Sequence, residues 1–124
     1  RKIDAVASIE ARGFILGGAP AYLLGTGIVP IRKKGKLPWK TCEASYDLEY
    51  GKDTLEVHRD AFSRGDNVII IDDLLATGGT MSAAIKLVEQ LGGKVVELLF
   101  LIELEELKGR AKLPGYSTFS LIKF

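Results

Sequence analysis

The pattern of apolar and polar positions along this chain alternates between strand-like runs and helix-like stretches. The strand-like runs are short and mainly apolar, and they cover residues 5–9, 28–31, 67–71, 95–102 and 118–122. The helix-like stretches lie at residues 13–24, 80–91 and 104–112. Because strands alternate with helices, the pattern predicts an α/β fold with a central, mostly parallel sheet flanked by helices.

Residues 32–58 depart from this alternation. Residues 32–40 are basic and carry Gly35 and Pro38, which predicts an exposed and mobile loop. Residues 46–50 and 54–58 flank Gly51-Lys52-Asp53, a sequence typical of a β-hairpin. We therefore expect a mobile loop and a hairpin beside an otherwise regular core.

Composition limits the class of protein and its partners. The 124-residue length, with 47% hydrophobic and 27% charged residues, is typical of one globular domain, which we assign to residues 1–124. The formal net charge is only +1, so bulk charge does not favour a nucleic-acid partner, and any anion site must be local. No apolar run has the length that a membrane span requires, so no membrane partner is expected.

Cys42 and His58 are the only cysteine and the only histidine. A lone cysteine cannot form an internal disulfide, which favours a reducing compartment and predicts a cytoplasmic protein. Zinc sites and Cys–His catalytic pairs need more of these residues than the chain offers, so neither is expected. An ordinary free thiol is the simplest interpretation of Cys42.

The strongest chemical signal lies in residues 68–80, where a β-branched strand runs into two carboxylates, a small-residue loop and a helix. Ligands of parallel α/β proteins bind at the carboxyl ends of the strands. Gly78 and Gly79 allow backbone N–H groups to approach an oxyanion closely, and the helix N-terminus adds its dipole. The block therefore predicts a phosphate cradle, and the neighbouring Asp72 and Asp73 are suited to a sugar diol.

The loop does not end in the Lys-Ser/Thr pair of a Walker motif, so a nucleoside triphosphatase is not expected. The simplest alternative is a tight strand-to-helix turn with a solvated Asp72-Asp73 pair. The combination of strand, carboxylates, glycines and helix start favours the cradle over that alternative.

Residues 68–80 resemble the 5-phosphoribosyl 1-pyrophosphate (PRPP) signature of type I phosphoribosyltransferases, in the form found in the adenine-specific branch. The resemblance extends along essentially the whole chain. Residues 10–13 resemble the family's pyrophosphate loop, residues 32–38 its mobile basic loop, and residues 44–51 the segment with its catalytic glutamate. The resemblance implies the phosphoribosyltransferase core fold and a homodimer.

The resemblance further implies a purine salvage reaction, in which adenine and PRPP give AMP and pyrophosphate with Mg²⁺ as the cofactor. The implied catalytic residues are Glu49 and Arg12. The implied 5′-phosphate site consists of Ala76, Thr77, Gly78, Gly79 and Thr80. The implied pyrophosphate-binding residues are Arg12, Arg32, Lys33 and Lys36.

On the same basis, Asp72 and Asp73 are expected to hold the ribose hydroxyls directly or through metal-bound water. Mg²⁺ would be held through PRPP and water, with Asp72 as the one candidate protein ligand. The base pocket is expected to include Leu104 and Tyr50. The resemblance also implies a cis peptide bond between Glu10 and Ala11.

Several of these residues also have an ordinary structural interpretation. Arg12 could be a surface arginine, residues 32–36 a solvated basic face, and Glu49 a strand residue that faces water. Tyr50 could pack a loop instead of stacking on a base. The resemblance favours the functional interpretation of Arg12, of the basic run and of Glu49.

The family carries a base-binding hood with a Phe-Arg-Asp motif upstream of the matched segment, and no such motif occurs in this sequence. We therefore expect the phosphate and ribose half of the site without the N-terminal hood. Three alternatives stay open. They are a type I enzyme for xanthine, hypoxanthine or orotate, a non-catalytic PRPP-binding regulator, and a shortened core with little activity.

Overall fold

The computed structural model describes residues 2–48 and 50–124, so Glu49, the predicted catalytic glutamate, lies outside the described residues. The strands are β1 (Ala5–Ile9), β2 (Gly27–Lys33), β3 (Thr41–Leu48), β4 (Gly51–His58), β5 (Asn67–Leu75), β6 (Lys94–Glu103) and β7 (Thr118–Lys123). The α-helices are α1 (Arg12–Leu24) and α2 (Gly79–Gln90), and two 3₁₀ helices, Glu105–Leu107 and Gly109–Lys112, lie between β6 and β7. None of the helices described is long and apolar enough to cross a membrane.

The described strands form one seven-stranded sheet in the order β3-β4-β2-β1-β5-β6-β7. The five strands from β2 to β7 in this order are parallel, whereas β4 runs antiparallel to both β2 and β3. The predicted α/β fold with a mostly parallel sheet is confirmed. The predicted hairpin is formed by β3 and β4, which pair along their whole length. It lies at one edge of the sheet, where β3 is the outermost strand.

The two central strands, β1 and β5, are buried because helices cover both faces of the sheet. Val6 and Ile71 pack against Ala21 of α1 on one face. Ala7 and Ile70 belong to the larger core cluster on the other face, which includes the buried side of α2. Side chains alternate between the two faces of a strand, so neighbouring residues of β1 face different helices.

Small residues allow α1 to lie close to the sheet. Gly13, Gly17 and Ala21 are its buried residues, and a Cβ added at Gly17 would clash with Ser8 of β1. This packing offsets the hydrogen bond that a helix loses at an internal proline, and α1 continues through Pro20 to Leu24.

Two predicted strands extend further than the sequence pattern indicated. β2 continues through Lys33 because Arg32 and Lys33 pair with β4, so the basic loop begins at Lys34 instead of Arg32. β5 continues to Leu75 because it pairs with β6 as far as Glu103. Asp72 and Asp73 therefore belong to a strand, which fixes the direction of their side chains.

The prediction of one helix over residues 104–112 was wrong. The segment forms the two 3₁₀ helices instead, and Lys108 between them has a left-handed backbone with φ of 51°. A residue in this conformation interrupts an α-helix. The interruption places Gly109 beneath the loop that follows β5, where a regular helix would not bring it.

Candidate active site

A cavity opens at the carboxyl ends of β1 and β5, which are neighbours in the sheet. Its lining combines Glu10, Arg12, Lys33 and Tyr46 with residues 72–81. Parallel sheets form their ligand sites at this edge. The cavity therefore unites the predicted carboxylate pair and the predicted phosphate cradle with two of the four predicted pyrophosphate-binding residues.

Asp72 and Asp73 differ in charge although they are adjacent. Asp72 is 8% exposed, and burial raises the pKa of its carboxyl group to about 8. Burial alone would also raise the pKa of Asp73, but the hydrogen bond from Arg12 Nε to Asp73 Oδ2 holds it below its ordinary value. At neutral pH the pair presents one protonated and one ionised carboxyl group beside a guanidinium.

The backbone supports this arrangement, since the N–H of Asp73 donates to Asp72 Oδ1 at 2.8 Å. A protonated carboxyl group can donate a hydrogen bond, whereas an ionised one only accepts. The pair can therefore bind two neighbouring hydroxyl groups of a sugar in complementary ways.

The segment after β5 has the form of an anion cradle. Gly78 is the N-cap of α2, and no side chain in residues 2–48 and 50–124 caps that helix start. The first-turn N–H groups of a helix have no partner within the helix, so they can serve an oxyanion. Ala76, Thr77, Gly78, Gly79 and Thr80, the predicted 5′-phosphate residues, all line the cavity.

The surroundings of the two glycines of the cradle differ. Gly78 has φ of 89°, and a Cβ there would lie 2.6 Å from the carbonyl oxygen of Gly109. Gly79 has ordinary helical geometry, and a Cβ there would lie no closer than 3.8 Å to a neighbouring atom, Cδ2 of Tyr46. The fold therefore requires glycine at residue 78, whereas at residue 79 it leaves space on the cavity side.

Glu10 holds the predicted basic residues together. Its carboxylate accepts hydrogen bonds from the Lys33 backbone N–H at 2.7 Å, from Lys36 Nζ at 2.6 Å and from Arg32 Nε at 3.3 Å. Burial alone would raise the pKa of Glu10, but its bonds to Lys36 and Lys33 lower it, so the carboxylate is ionised at neutral pH. The peptide bond that follows Glu10 is cis, as the resemblance implied.

Glu10 was not among the residues that the sequence predicted as catalytic or binding. The available signal was its place as the one acidic residue in the predicted pyrophosphate loop, residues 10–13. Arg32 and Lys36 do not line the cavity themselves, but they join Lys33, which does, through this carboxylate.

Asp53 and Tyr46 connect the hairpin to the cavity. Lys33 Nζ lies 3.0 Å from Asp53 Oδ2, and the Tyr46 hydroxyl donates to the same oxygen at 3.3 Å. Burial raises the pKa of Tyr46, so its hydroxyl keeps its proton at neutral pH. Neither residue was predicted as part of the site, because the link depends on the pairing of three separate strands.

The two predicted base-pocket residues lie outside this cavity. Tyr50 is 89% exposed. Leu104 lines a separate depression with Glu106, Leu107 and Phe124, although its backbone N–H donates to the Leu75 carbonyl oxygen at 2.9 Å. Among the described residues, Leu75 lines the cavity and this backbone hydrogen bond links it to Leu104.

Comparison with known proteins identifies a matching family and close relatives of this chain. The family model for the phosphoribosyl transferase domain matches residues 1–123. A curated adenine phosphoribosyltransferase from Syntrophotalea carbinolica is 60% identical over 124 residues, which are 100% of this chain and 72% of the relative.

Solved structures agree with this result. The adenine phosphoribosyltransferase of Thermoanaerobacter pseudethanolicus superimposes with a TM-score of 0.96 at 58% identity, and the match covers 100% of this chain and 72% of that one. The Saccharomyces cerevisiae enzyme, complexed with an imino-altritol bisphosphate and adenine, gives 0.94 at 48% identity, covering 98% and 68%.

The fold, the carboxylate pair and the cradle, together with these matches, define the class: the chain belongs to the phosphoribosyltransferase family. Within that family it belongs with the adenine phosphoribosyltransferases, which its sequence and its structure both match along the whole chain.

Proposed function

We propose that this protein transfers the phosphoribosyl group of PRPP to adenine and so makes AMP and pyrophosphate. The observation that carries the proposal is the placement of Asp72, Asp73 and residues 76–80 in one cavity with Arg12. A ribose diol site, a phosphate cradle and a cation for the leaving group are the elements that binding of PRPP requires. The names of the relatives support adenine over xanthine, hypoxanthine or orotate as the acceptor.

In this reaction the bond from the anomeric carbon to the pyrophosphate oxygen breaks, a bond from adenine nitrogen to that carbon forms, and the adenine N–H proton is released. Displacement at an anomeric carbon proceeds through an oxocarbenium-like transition state. Negative charge develops on the leaving pyrophosphate, so fixed cations lower the barrier. Arg12 and the cluster of Arg32, Lys33 and Lys36 are the groups that we propose for this role.

The remaining roles follow from the position of each group. Residues 76–80 would hold the 5′-phosphate, and Asp72 and Asp73 would hold the ribose hydroxyls. We propose Glu49 as the group that handles the proton of the purine imidazole ring. We propose Leu104 and Tyr50 as base contacts, Leu104 from the rim next to Leu75 and Tyr50 from an exposed position that leaves its ring free to stack.

Mg²⁺ fits this site as a cofactor carried by the substrate. Among the described residues, no group of three or more His, Cys, Asp and Glu side chains is placed to hold a metal ion. Mg²⁺ usually keeps several waters and takes oxygens from substrate phosphates and one or two carboxylates. Asp72 and Asp73 are suited to contact the ribose and the water of such an ion, which would neutralise charge on the pyrophosphate.

We also propose that the protein works as a homodimer in the cytoplasm. The outward side of α1 supports the dimer, since Ile15, Tyr22 and Leu23 are each more than 80% exposed. Apolar side chains grouped in this way are typical of a surface that contacts another protein. The single cysteine supports a reducing compartment.

The test of the proposed reaction is conversion of labelled adenine to AMP in the presence of PRPP and Mg²⁺, measured alongside hypoxanthine, xanthine and orotate. We expect adenine alone to be consumed. Consumption of another base instead would assign a different enzyme of the family. PRPP binding without turnover of any base would favour the regulator or the low-activity core.

The cradle gives a prediction with an internal control. Gly79→Val should fold normally, because the space at residue 79 is open, but its side chain should keep the phosphate away from the backbone N–H groups. Losing one hydrogen bond to a charged group costs about 1.5–3 kcal/mol, so we expect the Kd for AMP to rise roughly 10–100-fold. Isothermal titration calorimetry measures this, and an unchanged Kd would rule out residues 76–80 as the phosphate site.

Gly78→Ala is the matched control for the fold. The left-handed backbone and the contact with Gly109 should make this variant less stable by about 2 kcal/mol. A thermal melt should therefore show a lower melting temperature for Gly78→Ala and a nearly unchanged one for Gly79→Val. The loss in Gly79→Val should appear in the titration with AMP.

The basic loop gives a further prediction. Gly35 N–H donates to Glu56 Oε1 at 2.8 Å, and Lys36 is held by Glu10. The Lys40 carbonyl oxygen accepts from the Arg59 N–H at 3.0 Å, so residues 37–39 between these points are left with fewer tethers. We propose that these residues close over bound PRPP. Amide hydrogen exchange there should slow roughly tenfold when PRPP and Mg²⁺ are added, because closure removes local opening. Exchange that stays unchanged at saturation would contradict a closing loop.

A further inference from the structure

An ion pair between Arg110 and Glu103 lies behind the phosphate cradle, outside the cavity lining. Arg110 Nε donates to Glu103 Oε2 at 2.8 Å and Arg110 Nη2 donates to Oε1 at 2.8 Å. The Ser120 hydroxyl donates to Oε1 at 2.8 Å as well. Glu103 is 4% exposed, so its carboxylate depends on these donors instead of on water.

The pair joins three elements. Glu103 ends β6, Arg110 belongs to the second 3₁₀ helix, and Arg110 Nη1 donates to the carbonyl oxygen of Thr118 in β7 at 3.1 Å. A bidentate arginine–carboxylate pair is geometrically specific as well as strong. The guanidinium therefore fixes the position of the second 3₁₀ helix against the edge of the sheet.

Both partners lie next to the start of the cradle. Glu103 is the register partner of Leu75, the last residue of β5 before the cradle begins. Gly109, the residue before Arg110, lies directly against the cradle backbone. A Cβ added at Gly109 would clash with the Ala76 carbonyl oxygen, and a Cβ at Gly78 would lie 2.6 Å from the Gly109 carbonyl oxygen.

In this contact the backbone of the cradle packs tightly against the backbone of the segment that contains Gly109. Both backbones approach closely because both residues are glycine. Gly78 also has a left-handed backbone with φ of 89°, a conformation that strains other residues. A shift of Gly109 would therefore shift residues 76–78, which line the cavity. Displacement of about 1 Å in a positioning group can cost on the order of 10²-fold in activity.

We propose that Arg110 and Glu103 are positioning residues for the 5′-phosphate of PRPP, because their ion pair holds Gly109 as the floor under the cradle. This inference rests on the proposed function, in which residues 76–80 bind that phosphate. Neither side chain touches the substrate. Their effect is transmitted through the backbone contact of Gly109 with residues 76–78.

The test uses Arg110→Met in the full chain and measures two ligands that report on different parts of the cavity. Ribose 5-phosphate needs the cradle, whereas inorganic pyrophosphate with Mg²⁺ needs Arg12 and the basic cluster. We expect the Kd for ribose 5-phosphate and the KM for PRPP to rise about tenfold or more, while the Kd for pyrophosphate and kcat at saturating PRPP stay within about threefold. Arg110→Lys keeps the charge without the bidentate geometry, so its Kd for ribose 5-phosphate should lie between those of the wild type and Arg110→Met.

Phe62→Leu is the matched control for stability. Phe62 is a core residue between β4 and β5, away from the carboxyl edge of the sheet. The substitution should therefore lower stability without changing the cradle. Glu103→Gln, which keeps the shape of the side chain, gives the same test if Arg110→Met does not fold. Equal losses for both ligands, or the same ribose 5-phosphate affinity as Phe62→Leu, would overturn the proposal.

The two proposals fail in different ways. Wild-type protein that binds ribose 5-phosphate but converts no adenine would refute the proposed reaction and leave the positioning test intact. Wild-type activity with unchanged ribose 5-phosphate affinity in both Arg110→Met and Glu103→Gln would refute the positioning role alone.

Discussion

Replacing Arg12 with methionine is expected to lower kcat/KM for PRPP about 10²–10³-fold, the range found when one preorganised electrostatic group is removed from an active site. Within residues 2–48 and 50–124, Arg12 is the only arginine that lines the cavity, and it is bonded to Asp73. Methionine removes the positive charge that would meet the leaving pyrophosphate. It also leaves the ionised Asp73 without its cation, so the site becomes more negative where an anion must bind.

Two comparisons separate this effect from a general loss of charge. Arg64→Met removes an exposed arginine from the turn before β5, and kcat/KM should stay within about twofold because a distant, exposed charge is screened. Arg12→Lys keeps the charge but not the fork of donors, so it should recover only part of the rate. Steady-state kinetics with varied PRPP would measure all three, and an Arg12→Met variant within about threefold of wild type would remove Arg12 from the mechanism.

Replacing Asp72 with asparagine is expected to stabilise the free protein above about pH 5, by about 1–3 kcal/mol near pH 8. The reason is the sign of the shift. Burial raises the pKa of Asp72 in the folded protein to about 8, while an unfolded aspartate has a pKa of about 3.9. Between these two values the folded state holds a proton that the unfolded chain releases, so the free energy of unfolding falls as pH rises.

Asparagine cannot ionise, so it removes that loss while its amide oxygen can still accept the Asp73 N–H. The melting temperature of Asp72→Asn minus that of wild type should be small at about pH 4, increase toward about pH 8 and level off above it. A gain of roughly 4–12 °C is expected at the upper end for a domain of this size. The melts are run without Mg²⁺ or PRPP, so that only the free protein is compared.

Asp73→Asn is the control, with the opposite expectation. Asp73 has a pKa below its ordinary value because of Arg12, so its ionised form contributes stability above the unfolded pKa and loses it as pH falls. Asp73→Asn should therefore be destabilising at neutral pH, and the difference should shrink in acid. A pH-independent effect of Asp72→Asn would show that Asp72 is ionised in the folded protein.

Local patterns in the sequence determined the elements that build the site. Residues 5–9 form β1 with the predicted bounds, and the strand, small-residue loop and helix of residues 68–80 were all evident. These features depend on residues that are neighbours in the chain, which is why periodicity and glycine placement reveal them. Residues 10–13 and 68–80 also carried the family resemblance, and with it the predicted roles of Arg12, Asp72 and Asp73.

Other features depended on contacts that no local pattern encodes. The ends of β2 and β5 were set by pairing with β4 and β6, and the segment after β6 was broken by the left-handed Lys108. Glu10, Asp53 and Tyr46 entered the site through strands that are distant in sequence. The sequence marked Gly78 and Gly79 equally, and only the approach of Gly109 showed that the fold requires the first.

The sequence by itself determined which residue types follow the strand-like runs, because hydrophobic periodicity and turn chemistry are local properties of the chain. The tertiary structure alone decided their charge and their partners. Asp72 and Asp73 are adjacent and chemically identical, yet burial protonates one while Arg12, 61 residues away, keeps the other ionised. Burial and long-range ion pairs arise only when the parallel sheet brings β1 and β5 side by side, so the protonation of the site is a property of the fold.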